Sequence, residues 1–321
     1  MVLLFKELST VILNAGLAWM TGALFARIWL GNCSASWCDK ARRRLHFSVL
    51  AAAGMCIIGS VCTLWAETAI MNDSSLRDAR GVFWTMLTMT HYGRAGLCAL
   101  VVLLGLACVY LARNRTQEVR IHDGVITMLL LVFAYARVSV SHAAIDGTFG
   151  LNVWMQWLHL LLISLWVGAV MVSAWSVLPC AKIFQKTASR ATTVFLKALS
   201  RAATLALAGI AATGAYNAVR GLGSVDNFSA SAYGHALALK LCLVAVAIGL
   251  GAFNRFIGFP AVMMSNAAGS SDLSDSSNSQ AIPWPAAMQR VVFVLRLESI
   301  VLLAVLIAAA VLTNQAPPAL S

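Results

Sequence analysis

Eight stretches of mostly apolar residues, separated by short polar segments, constrain this chain more than any other feature. They run roughly Leu8 to Leu30, His46 to Glu67, Trp84 to Leu111, His122 to His142, Val153 to Val177, Ala198 to Val219, His235 to Phe256 and Val291 to Leu312. A helix of about 20 residues, at about 1.5 Å rise each, crosses the hydrocarbon core of a bilayer. Inside lipid the backbone must satisfy its own hydrogen bonds, so each stretch reads as a helix. None shows the alternating pattern of a membrane barrel. The expected fold class is all-α: a polytopic membrane protein built as a bundle of eight transmembrane helices.

Composition agrees. The chain is 60% hydrophobic and only 11% charged, where a soluble domain carries about a quarter charged residues. Its formal net charge of +11 would suit a nucleic-acid partner, but the distribution argues otherwise. Lys40, Arg42, Arg43 and Arg44 follow the first stretch, and Arg113, Arg115 and Arg120 the third. Lys182, Lys186, Arg190 and Lys197 follow the fifth, with Arg255 and Arg290 around the connection after the seventh. The intervening connections hold far less: Arg77 and Arg80 amid acids, then Asp146, then Arg220 with Asp226. Such alternation is the signature of a membrane topology with both termini outside, N-out and C-out, in a bacterial inner membrane. No nucleic-acid partner is expected; the lipid bilayer is. The first stretch lacks a small-residue cleavage pattern and reads as a retained helix.

The chain divides into residues 1–120, with the first three helices, and 121–321, with the other five. A flexible cytoplasmic linker is expected at 263–286, where Ser265 to Gln280 is Ser-rich and Pro283 and Pro285 close the segment. Cys33, Cys38 and Cys180 fall on the cytoplasmic side, where thiols stay reduced, so no disulfide framework is expected. Cys56, Cys62, Cys98, Cys108 and Cys242 fall within helices, where most read as small buried hydrophobes, with Cys62 and Cys98 as candidates to pass a soft metal inward.

Polar groups at membrane depth mark candidate sites. His91, His142, His159 and His235 fall toward the outer side. Met155 and Trp166 share a helix face with His159, and imidazole beside a thioether suits copper. A short connection makes the helices carrying His142 and His159 antiparallel neighbours, so the two rings are expected to converge at matched depth. His91, Arg94 and Cys98 share a stripe if the third helix already runs through His91. Arg94, Arg137 and Lys240 are intramembrane cations. Toward the inner side, Glu298 with Arg255 or Arg296 reads as a structural pair. The candidate metal ligands are therefore His142, His159, Met155 and His91, with copper ion as what they bind. Cys33, Cys38 and Cys180 are candidate acceptors at the inner face.

Specific stretches resemble a known family. They are SHAA at Ser141 to Ala144, LHLLLISLWVGAVM at Leu158 to Met171 and LSRAATLALAGIAATGAYNAVR at Leu199 to Arg220. YGHALALKLCLVAVAIGLGAFNRFIGFPAV at Tyr233 to Val262, and RVVFVLRLESIVLLAVLIAAAVLTNQAPPA at Arg290 to Ala319, continue the match. THYGRAGL at Thr90 to Leu97 extends it into the first half. The chain is similar here to the copper resistance protein D family (CopD). That resemblance implies copper transport across the inner membrane, from periplasm to cytoplasm, beside a separate periplasmic copper-binding protein of the CopC-like kind. It also implies His142 and His159 as copper contacts. Tyr233, Lys240, Asn254 and Glu298 match family positions as structural or gating residues.

No phosphate-binding loop, nucleophile–base arrangement or dinucleotide motif occurs, so an enzyme is not expected. Two rival readings stand beside transport. One is a b-type cytochrome with paired histidines on haem, the other a non-transporting factor that relays copper to a partner.

Overall fold

A computed structural model describes residues 1–31, 33, 35–112, 119–144, 147–184, 190–224, 226–267, 283–313 and 315, except the side chains of 119, 120, 142, 184 and 265–267. Its helices are α1 (Val2–Leu30), α2 (Ser36–Met71), α3 (Phe83–Met89), α4 (His91–Ala112), α5 (Val119–Val138), α6 (Leu151–Val172), α7 (Leu178–Phe184), α8 (Arg190–Leu222), α9 (Asn227–Ala230), α10 (Ala232–Phe253), α11 (Phe259–Ala267) and α12 (Trp284–Thr313). Two π-helical turns, Ser173–Val177 and Asn254–Gly258, join α6 to α7 and α10 to α11 without breaking the rod. Among the described residues no strand occurs, and eight helical spans are long and apolar enough to cross a membrane. The chain is a multi-pass membrane protein.

One expected span is divided. Sequence placed a continuous helix from Trp84, but the backbone turns extended at Thr90, ending α3 there. The Thr90 hydroxyl accepts a hydrogen bond from the Gly93 N–H at 2.9 Å, an N-cap that starts α4 at His91.

The core is built around α1, which packs on α2 and α6 most extensively and also on α12, α5 and α8. Small residues allow this. Gly22 and Gly168 approach so closely that a side chain on either would enter the other helix's backbone, and Gly16 leaves room for the Cys56 sulfur. Lipid tails are as apolar as leucine, so close van der Waals packing of this kind is what drives helices together in a bilayer. At the other extreme, α10 packs chiefly on α12. Within the best apolar window 56% of α1 is buried inside the protein, against 11% of the seventh span.

Ion pairs clamp the two faces of the bundle. At the face where α1 begins, Lys6 Nζ lies 2.5 Å from Glu67 Oε1 at the end of α2. At the opposite face, Arg27 lies 3.5 Å from Asp123 on α5. There the chain also departs from expectation at Cys33 and Cys38, which are joined in a disulfide. The α1–α2 turn brings them together: Gly31 adopts positive φ, and the Arg42 guanidinium donates to the Gly31 and Cys33 carbonyls. The two Cα atoms come to rest 6.2 Å apart, within disulfide reach. The reduced state expected from compartment alone left this turn out of account. Most of the linker at 263–286 lies outside the described residues. α11 continues through Ala267 and α12 begins at Trp284.

Candidate metal centre

The halves of α6 and α8 nearest the face where α1 begins are joined by a ladder of side-chain hydrogen bonds. Tyr216 Oη donates to Asn152 Oδ1 at 2.6 Å, and Asn217 Nδ2 donates to Gln156 Oε1 at 2.8 Å. One level deeper, His159 Nδ1 lies 2.8 Å from Thr213 Oγ1. Asn152, Gln156 and His159 follow the i, i+4, i+7 spacing of one helix face, which is why they meet one partner helix. Eight residues, about 12 Å of helix, separate His159 from the start of α6.

The hydroxyl proton settles which ring nitrogen is free. Thr213 Oγ1 lies 2.7 Å from the Gly209 carbonyl, to which its single proton is directed. Toward His159 the hydroxyl therefore accepts, so Nδ1 carries the ring proton and Nε2 keeps its lone pair. A histidine that ligates a metal has this arrangement, with the second nitrogen donating to a fixed acceptor. Gly214 lies beside the ring, where a Cβ would come 3.2 Å from Cε1. The ring itself is only 7% exposed.

The surroundings of His159 are mixed. Met155 precedes it by one turn and is half-buried. Lys240, on α10 and eight residues from its start, lies within electrostatic reach of the imidazole. Trp166, two turns deeper on the same face, has its indole beside the Glu298 carboxylate.

The other sequence candidates are spread more widely. The backbone of His142 lies in a 3-10 turn, His142–Ala144, outside both α5 and α6, and its side chain lies outside the described residues. The expected convergence of the His142 and His159 rings therefore falls outside the described residues. His91 heads α4 and is exposed, as are Arg94 and Cys98 on the same stripe. α4 packs on α2, α3 and α5. Arg137 lies over the Phe133 ring and within electrostatic reach of Cys56 and Tyr92. Among the described residues no three His, Cys, Asp or Glu side chains gather as a metal-binding group.

The expected pairing of Glu298 with an arginine does not form. Arg255 turns to Thr204 and the Ser200 carbonyl on α8. Arg296 stacks over the Trp175 ring, 4.7 Å from its centroid. Residues 255 and 296 point to faces of their helices away from the α10–α12 seam, where Glu298 lies against Gly251. Residue-by-residue reading missed Asn152, Gln156, Thr213, Tyr216 and Asn217. Their signal was legible as two polar stripes at helical spacing, N-x3-Q-x2-H and T-x2-Y-N.

Two family models match the chain. One, described as copper resistance protein D, covers residues 193–312, and one described as copper resistance protein D-like, N-terminal domain, covers residues 7–151. No curated protein and no solved structure matches it.

Proposed function

The chain belongs to the copper resistance protein D family, which gives it a role in copper resistance or transport, and from that premise we propose that it carries copper inward from the periplasm across a bacterial inner membrane. The observation that supports this most is the His159–Thr213 pair, which leaves an imidazole lone pair free well inside an apolar bundle. Alternating Lys and Arg put that end of the bundle outside, N-out and C-out. The site would take Cu(I): imidazole and the Met155 thioether are soft enough for it. The neighbouring Lys240 cation also repels a singly charged ion less than a doubly charged one.

His142 and His91 would serve at the mouth, and a CopC-like periplasmic protein would donate the ion. The chain would act without catalysis of its own. Copper content of cytoplasmic and periplasmic fractions, in cells with and without the protein, tests the reading. Cytoplasmic copper should rise with the protein and fall back with His159→Ala. Equal cytoplasmic copper in all three strains would sink it.

A further inference from the structure

Glu298 stands halfway along the 30-residue α12, about 20 Å of helix from either end. It is 2% exposed. Among the described residues the ion pairs are Lys6–Glu67, Arg27–Asp123 and Arg42–Asp39, so no cation holds it. A carboxyl group at bilayer mid-depth is costly and marks function by default. A single indole donor, from Trp166, does not satisfy the two oxygens of a carboxylate.

A second group waits nearby. Asn254 is 1% exposed, and neither its amide nitrogen nor its amide oxygen has a hydrogen-bond partner. The helix register shows where it sits. A Cβ at Gly251 would come 3.1 Å from Glu298 Oε1, and one at Gly258 would come 3.0 Å from Val291. Asn254 lies between these two glycines on the same face of the seventh span, so it is held at the level just inside Glu298. It also begins the π-turn Asn254–Gly258. The other π-turn reaches the same place, because Trp175 Nε1 donates to the hydroxyl of Ser299, the next residue after Glu298, at 2.9 Å. Single π-turns inside α-helices concentrate at functional sites.

We propose that Glu298 is a proton-carrying site. Its carboxylate takes up one proton in one state of the transport cycle and gives it back in the other, and no other bond changes. Asn254 is the group that serves both states: its oxygen accepts from the carboxylic acid, and its nitrogen donates to the carboxylate. Oxygen donors of this kind suit a proton better than Cu(I), which prefers sulfur and imidazole. This inference rests on the transport reading above.

The charged and titratable groups around α12 leave Glu298 to itself. From α6 it is His159, two turns outward beyond Trp166; from α10 it is Lys240, three turns outward of Gly251. Arg255 is held by α8, and Arg296 lies on Trp175. Lys6 and Arg27 of α1 are engaged by Glu67 and Asp123. On α7, Cys180 and Lys182 lie at the inner end. α11 and the turn Ser173–Val177 carry no titratable side chain.

Infrared difference spectra of the purified full chain in lipid, recorded through a pH titration, test the site. A protonated-carboxyl C=O band should titrate in the natural protein, vanish in Glu298→Gln, persist in Glu298→Asp and shift in Asn254→Ala. A band unaffected by Glu298→Gln, or no titrating band, overturns the proposal. So does a band erased by Cu(I) in His159→Ala, which would make Glu298 a metal ligand. The spectra need no copper flux. In vesicles holding a pH dye, copper entry should move protons outward, and Glu298→Gln should abolish that movement. Absence of any copper flux would count against the transport reading, while the band still decides the carboxyl.

Discussion

Gly22 of α1 and Gly168 of α6 meet backbone against backbone, and this contact fixes how deeply α6 is set beside the central helix. His159 lies nine residues from it along α6, about 13 Å. The position of the candidate ligand is thus tied to a place where only hydrogen fits.

Gly168→Val should therefore disturb the bundle as a whole. Forcing a branched side chain into closed packing costs about 1–3 kcal/mol or more, and here the obstacle is backbone. The melting temperature of the purified protein in detergent should fall clearly. Gly105→Ala is the control, because nothing lies within 4 Å of the Cβ it would add. Equal melting of the two variants would show that the α1–α6 crossing is not close.

Thr213→Val keeps the shape of the residue and removes the acceptor for His159 Nδ1. Loss of such an orienting partner weakens metal binding roughly 10–100-fold. Competition titrations with a Cu(I) chelator should show that loss, and Thr213→Ser should restore affinity. His159→Ala should weaken binding at least as much. An unchanged affinity in Thr213→Val would remove the tautomer argument.

Haem and copper predict different spectra. Trp157 donates to the Leu131 carbonyl at 3.1 Å and Trp154 packs edge-on to it, filling the space between α5 and α6. The purified protein should show no Soret band. A reduced-minus-oxidised b-type signature lost in His159→Ala would replace copper by haem.

Cys33 and Cys38 should behave as a pair. After purification without reductant, neither should react with a maleimide, and both should react after reduction, as read by peptide mass. In intact cells a permeant maleimide should label both, because an inner-facing turn meets a reducing cytoplasm. Protection in living cells would place this turn on the oxidising side and reverse the orientation.

Orientation has its own test. A reporter fused after Ser321 should be active only in the periplasm, and one inserted between Ser270 and Ser277 only in the cytoplasm. Opposite results would invert the bundle.

The eight spans were legible because the bilayer demands a minimum apolar length of every crossing, and each of α1, α2 and α12 contains such a stretch. The break at Thr90 was also written in the residues, as a hydroxyl three positions before Gly93, but apolar averaging passes over a cap. His159 could be found from its ligand chemistry and depth. Thr213, its partner, lies 54 positions away and depends on which helices become neighbours. Glu298 illustrates the same limit in reverse. Arg296 is close in sequence, but the helix turns its guanidinium to Trp175 and leaves the carboxyl facing Gly251. Opposite charges two residues apart on a helix do not face each other.

Because α10 leans chiefly on α12, most of its circumference faces away from the bundle, toward the bilayer expected around it. The bilayer is thus a structural neighbour of the seventh span in a way it is not for α1. A helix in a thinner bilayer tilts to hide its excess length. For this span, tilt about the α12 seam would slide Gly251 and Asn254 past Glu298. Membrane thickness would thereby gain a lever on the centre of the protein, through a helix whose outer surface is turned away from the bundle.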